Sequence, residues 1–230
     1  MKKIRVTGFD IKNASSDNFE KAMELMPDEI RRKTLRFVQE KDRYAYLLGK
    51  VLLQEQLMEE GFSPAQISGL ASGEFGKPYL PIDLKFNISH SRDWVLCAAA
   101  MGVELGIDIE YKAHGNDLDL TPYLTDAEKE VILESGNNLE EKIRIWTQKE
   151  AVLKASGAGI GMDLTKVDTT CGEIRYASKP WFLKEIKVDP EYSSFLASSK
   201  PLDFMLQKLV IKQTIDRIFL WFAANSQQQQ

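Results

Sequence analysis

Apolar and polar residues alternate along IRVTGFDI (residues 4–11), with β-branched residues among the apolar positions, which predicts a strand with one buried face. The period then lengthens. A helix is predicted from about Asp17 to Met26, and another begins at Pro27, where Asp28 and Glu29 complement the helix dipole in the first turn. This second helix sets Ile30, Leu35 and Phe37 among Arg31, Arg32, Lys33 and Arg36. In EKDRYAYLLGKVLLQEQLMEEG, Tyr44, Leu47, Leu48, Val51, Leu52 and Leu57 recur at helical spacing as far as Gly61, predicting the core helix of the first half. From Ile67 to Met101 the pattern is of short strands: ISGLAS, the Gly76-Lys77-Pro78 turn, KFNIS and WVLCAAAM. GVELGIDIEY follows with period two. Helical spacing returns at Thr125, where TDAE has capping-box form, and a longer helix is predicted from about Leu139 to Ser156 with Gly157 as its stop. EIRYA, WFLKEIKV and SSFLASS read as strands, while DFMLQKLVIKQTIDRIFLWFAAN fits strand and helix equally. The order predicts an α+β protein built as one unit used twice, residues 1–104 and 105–226, with no residue identity evident between the halves.

Composition narrows the function classes. The 230 residues are 43% hydrophobic and 28% charged, enough apolar content for a substantial core. Lys and Arg number 30 against 34 Asp and Glu, a net charge of -4, which argues against a general binder of nucleic acid or anionic membrane. Cys97 and Cys171 are too few for a disulfide framework, so a reducing, cytoplasmic setting is expected. The opening MKKIRVTGFDIKN lacks the apolar stretch of a signal peptide, and IFLWFAA at 218–224 falls far short of the roughly 20 residues a spanning helix needs.

Three segments bear chemistry. GIDIE projects Asp108 and Glu110 from one face of a strand about 7 Å apart, a spacing that can hold a hard cation. Alone, such alternation belongs more often to a solvated edge strand. WTQKEAVLKASG lines Trp146, Glu150 and Lys154 along one side of a helix. Singly, the pair of charges is also satisfied by an exposed face, but the glycine-rich exit Gly157-Ala158-Gly159-Ile160-Gly161 permits close approach of a ligand to the backbone. Asp108, Glu110 and Glu150 together would suit magnesium, which takes a few carboxylates alongside water and phosphate oxygens. FNISHS combines small hydroxyl residues with His90; with the Lys77-Pro78 turn and the basic helix in the same half, it suggests a pocket rich in donors for phosphate. His114, in the loop KAHGND, is assigned no role.

GKP at 76–78, FNISHS at 86–91, GIDIE at 106–110 and WTQKEAVLKASG at 146–157, in this order and spacing, resemble the 4'-phosphopantetheinyl transferase superfamily, and the size and doubled layout resemble its Sfp-type branch, a monomeric pseudo-dimer. The resemblance runs from about Leu25 to Gly161. It implies that coenzyme A binds in the cleft between the halves, with Mg²⁺ held by Asp108, Glu110, Glu150 and the pyrophosphate. By the same resemblance His90 and Ser89 contact phosphates on the adenosine side, Lys77 and Pro78 border the adenine, and Lys154 contacts the pyrophosphate. Lys33, and with it Arg31, stands where the family grips the 3'-phosphate. The family's arginine one turn before L-L-G is replaced by Ala45, with Arg43 two residues earlier as the substitute.

The implied reaction moves the phosphopantetheine arm of coenzyme A onto a serine of an apo acyl or peptidyl carrier protein. Glu150, directly or through a water, would deprotonate the serine, and Lys154 would stabilise the leaving group. A docking patch for the carrier is expected between about Leu118 and Ile145, with Lys129, Lys142 and Arg144 among exposed Leu124 and Ile132. The alternatives from other classes are a magnesium-dependent nucleotide pyrophosphate hydrolase, against which FNISHS and the lack of an R-E-x-x-E-E run speak, and a non-catalytic carrier-binding module, which would have lost an acid or Lys154.

Overall fold

The alternation at the start of the chain forms strand β1 (Ile4–Asp10), but both of its faces are buried: Ile4 and Val6 enter one apolar cluster and Phe9 another. The reason is its place inside a four-stranded sheet of order β10-β1-β5-β4. The computed structural model describes residues 3–116, 119–158, 163–171, 173–201 and 203–226. Three helices precede the next long strand: α1 (Ser16–Glu24), entered through a capping box at Ser15, α2 (Asp28–Thr34), and α3 (Glu40–Glu59). The last packs on the sheet so closely that a Cβ on Gly49 would come within 2.9 Å of Ile88. Gly61, at φ +81°, supplies the left-handed turn after α3.

After the short pair β2 (Ala71–Ser72) and β3 (Pro78–Tyr79), turned at Gly76, the chain forms the hairpin β4 (Leu84–Ser91) and β5 (Trp94–Met101). In the sheet β5 lies antiparallel to both β1 and β4. The second half follows the same route. Its leading strand β6 (Leu105–Tyr111) is followed by α4 (Asp126–Glu134) and the long α5 (Asn138–Ser156), then by β7 (Ile174–Tyr176), β8 (Lys179–Glu185) and β9 (Tyr192–Ser198). The sheet order is β6-β9-β8-β7. In both halves, therefore, the leading strand pairs antiparallel with the second strand of a later hairpin and a long helix covers the sheet. A cluster holding Val6, Leu96, Ile107, Ile109 and Leu196 joins the two halves.

The end of the chain returns to the first half. The segment that fits both periods is both: strand β10 (Phe204–Lys208) pairs parallel with β1, and helix α6 (Ile211–Ser226) sends Ile211, Ile215 and Ile218 into the core around α3. Residues 204–226, which the sequence pattern assigns to the second half, thus complete the first half's sheet and core. Among the described residues no helix is long and apolar enough to cross a membrane.

Candidate active site

The two sheets present their edge strands β4 and β6 to one another. Period two along β4 points Asn87, Ser89 and Ser91 the same way, and each engages β6. The Ile107 N–H donates to Asn87 Oδ1 at 2.8 Å; Ser89 Oγ donates to Asp108 Oδ1 at 2.9 Å; Ser91 Oγ donates to Glu110 Oε2 at 3.1 Å and accepts from the Tyr111 N–H at 3.0 Å. These residues hold the acids of β6 in fixed positions. Ser89 therefore acts as a clamp on Asp108; the part played by Asn87 is invisible in the sequence, because an asparagine in a strand carries no local signal of its partner.

Helix α5 brings the third acid. Its approach depends on Gly106: a Cβ there would lie 2.2 Å from Ala155 N and 2.3 Å from Ala151 O, so only glycine lets the helix backbone rest on β6. The helix is anchored from behind by a buried ion pair, Lys149 Nζ to Glu128 Oε2 at 2.8 Å. Glu128 is also the reciprocal member of the capping box at Thr125 and accepts from Thr169, so one carboxylate ties α4 to α5 and to the loop beyond. With α5 fixed, Lys154 Nζ donates to Asp108 Oδ1 at 2.5 Å and to Ser89 Oγ at 3.0 Å. Gly157, at φ +72°, ends the helix; Gly159, Ile160 and Gly161 lie outside the described residues.

Negative charge is concentrated here. Burial, followed by the neighbouring Asp108, pushes the Glu110 carboxyl up to about 7, and burial followed by Asp108 also raises that of Glu150. Burial works against the charge of Lys154, but the bonded Asp108 and then Glu150 and Glu110 outweigh it and raise its pKa. His90, exposed between Ser89 and Ser91 on β4, has its pKa lowered by desolvation and then by Lys154. Asp108 is almost wholly buried and its Oδ2 has no partner. All-oxygen donors with one orphaned buried carboxylate oxygen fit a hard divalent cation. Among the described residues no group of three or more His, Cys, Asp or Glu is closed into ligating geometry; Lys154 holds the other oxygen of Asp108.

One cavity opens beside this cluster, and a second adjoins the first through their shared residues Gly76 and Pro78. The larger, about 480 Å³, is lined by Trp146, Glu150 and Lys154, the side of α5 read from the sequence, and by apolar residues including Ile88 and Leu153. The smaller, about 250 Å³, lies between α2, α3 and the β2–β3 turn and contains Lys33. Lys77 contributes its stem to the larger cavity while its ammonium donates to Ala155 O at 2.9 Å and Leu105 O at 3.3 Å. Arg43 lines neither: its guanidinium donates to the carbonyls of Phe37 and Val38, closing the loop before α3. The expected docking patch also differs. Leu124 and Ile132 are not exposed but form a small cluster with Ile145, because α4 turns that face onto α5; the exposed apolar residues are Tyr123, Val131 and Leu133. Lys129 and Arg144 are paired with Asp126 and Glu141, and Leu118 lies outside the described residues.

Residues 104–202 match the model of the 4'-phosphopantetheinyl transferase superfamily, and residues 13–102 match that of the 4'-phosphopantetheinyl transferase N-terminal region. The chain belongs to this superfamily. The boundary between the two matches falls at the loop between β5 and β6, where one half gives way to the other. Among relatives, the 4'-phosphopantetheinyl transferase Sfp of Bacillus subtilis (strain 168) is 27% identical over 199 residues, covering 81% of this chain and 88% of that protein. The 4'-phosphopantetheinyl transferase gsp of Aneurinibacillus migulanus is 33% identical over 129 residues, a match that spans only 54% of that protein and 55% of this chain. The crystal structure of Thermotoga maritima holo-[acyl-carrier-protein] synthase aligns at 19% identity with a TM-score of 0.33, covering 44% of this chain and 64% of that one, too slight a likeness to bear on the fold.

Proposed function

We propose that the protein transfers the 4'-phosphopantetheine group of coenzyme A to a serine hydroxyl of an apo acyl or peptidyl carrier protein, releasing adenosine 3',5'-bisphosphate. The observation that carries this reading is the meeting of Asp108, Glu110, Glu150 and Lys154 across the β4–β6 seam, beside a cavity of about 480 Å³, in a chain of this superfamily. The serine oxygen bonds to the β-phosphorus as the bond from that phosphorus to the bridging oxygen breaks. The electron pair leaves with adenosine 3',5'-bisphosphate, and the serine proton passes to Glu150. A carboxylate whose pKa is raised is a stronger base, and such a group typically contributes about 10²- to 10⁴-fold. Lys154, kept charged by its acids, faces the oxygen on which charge develops. Asp108, Glu110 and Glu150 are the residues that would hold Mg²⁺, which supplies charge neutralisation at the pyrophosphate when bound.

Both walls of the cavity come from one chain, which supports action as a monomer. Both cysteines are free, in keeping with a reducing cytoplasm. The test is incubation with coenzyme A, Mg²⁺ and apo carriers of fatty-acid, polyketide and nonribosomal-peptide type, with the carrier mass read afterwards. A gain of one phosphopantetheine group is expected with the native enzyme and none with Glu150→Gln, which should retain its fold by circular dichroism. Undiminished transfer by the variant would remove Glu150 from its role, and no gain on any carrier would remove the function.

A further inference from the structure

The turn between β4 and β5 consists of Arg92 and Asp93 alone, since Ser91 pairs with Trp94. Two-residue hairpin turns favour glycine or asparagine where φ is positive, yet Arg92 takes φ +50°. An arginine in that region is strained, and it persists only where its surroundings over-determine it. Here they do. The Arg92 guanidinium lies 4.2 Å from the centre of the Tyr111 ring on β6. Every polar atom of Asp93 is engaged: its N–H donates to the Tyr192 hydroxyl at 3.3 Å, its carbonyl accepts from the Ile11 N–H at 2.6 Å, Oδ1 accepts from Lys41 Nζ at 2.6 Å, and Oδ2 meets Lys12 Nζ at 3.3 Å and the Tyr192 hydroxyl at 3.5 Å. Although it sits at a hairpin tip, its side chain is only 13% exposed. One aspartate thus joins the end of β1 and the start of α3, in the first half, to β9 in the second.

We infer that Asp93 is a positioning residue for Glu110, acting through Ser91. The inference rests on the transferase reading above, in which Glu110 is one of the acids that would hold Mg²⁺. Ser91 is the last residue of β4, so its place is set by the turn that follows it. Its Oγ donates to Glu110 Oε2 and accepts from the Tyr111 N–H, while Arg92 covers the Tyr111 ring and Asp93 grips Tyr192, the register partner of Tyr111 on β9. The three consecutive residues 91–93 therefore fix the end of β6 on which Glu110 stands. Asp108 has supports of its own, Ser89 and Lys154, neither of which touches Asp93. Loosening the turn should accordingly disturb one acid of the cluster and spare the other.

Binding of Mn²⁺ to the full-length protein, counted from the loss of the free-ion paramagnetic resonance signal, tests this beside calorimetric titration with coenzyme A in the absence of metal. Partners behind a metal-binding carboxylate are worth about 10- to 100-fold in metal affinity, so Ser91→Ala should weaken Mn²⁺ within that range and Asp93→Ala by about 10-fold, with coenzyme A affinity staying within about twofold of native. Because the two residues act in series, the double variant should bind Mn²⁺ no more weakly than Ser91→Ala alone. Asp93→Asn, which keeps the size and loses the ion pairs, should weaken Mn²⁺ in the same direction and carries the test if the alanine variant does not fold. Losses that add in the double variant, equal losses for Mn²⁺ and coenzyme A, or native Mn²⁺ affinity in the Asp93 variants whatever their Tm would reduce Asp93 to a structural latch and leave the transferase reading intact. Native protein that fails to bind coenzyme A or Mn²⁺ would overturn the transferase reading, and the role of Asp93 with it.

Discussion

Gly106→Ala isolates the contact on which the site is built. The added Cβ would lie 2.2 Å from Ala155 N, 2.3 Å from Ala151 O and 2.7 Å from the carbonyl carbon of Lys154, all backbone atoms that no rotamer change can move aside. Restoring an ordinary 3.4 Å contact requires β6 and α5 to part by about 1.2 Å. Overpacking of this kind costs about 1–3 kcal/mol. For a chain of this size each kcal/mol lowers Tm by about 2–4 °C, so a fall of about 2–12 °C is expected by differential scanning fluorimetry. The larger consequence is catalytic, because Lys154 and Glu150 ride on the displaced helix while Asp108 stays on the strand. A misplacement near 1 Å costs on the order of 10²-fold, so kcat/KM for transfer to an apo carrier should fall by about that factor. Gly73→Ala is the control: its Cβ would meet only Lys77 O, at 3.4 Å, and should change neither quantity. Native transfer and native Tm in Gly106→Ala would refute the close-approach account of the site.

Lys149→Met should lower unfolding stability in urea by about 3–5 kcal/mol, since it leaves the Glu128 carboxylate buried without its cation; adding Glu128→Gln should recover a large part of that loss. Stability should also rise with pH because of Lys50, buried on α3. Its folded pKa of about 8 lies below the 10.5 of an unperturbed lysine, so below pH 8 both states hold the proton and the full penalty applies, while between 8 and 10.5 the unfolded chain binds more protons and folding is increasingly favoured. The span amounts to about 3 kcal/mol. Urea titrations between pH 7.5 and 9.5 should show this rise in the native protein and less of it in Lys50→Met; identical slopes would contradict the buried, charged state of Lys50.

What the residues disclosed, and what they withheld, divides along a physical line. Alternation along β6, the apolar run of β5 and the three-to-four-residue spacing of α3 and α5 are local patterns, and each element formed where its pattern lies. GIDIE and WTQKEAVLKASG were legible for the same reason: period two puts Asp108 and Glu110 on one face, and an interval of four puts Glu150 and Lys154 on another. Pairings between distant segments leave no such trace. Nothing in FMLQK states that it will lie parallel to β1, and nothing in LLGKVLL states that its lysine will face a cavity instead of solvent. Gly106 shows the difference most clearly. In sequence it is a glycine at the start of a strand; in the fold it is the point where two backbones touch, and the distance between Asp108 and Lys154 follows from its missing side chain. A glycine, an asparagine and a lysine that look incidental along the chain thus set the position of the acids, while the acids themselves, conspicuous in sequence, would be ordinary edge-strand residues without them.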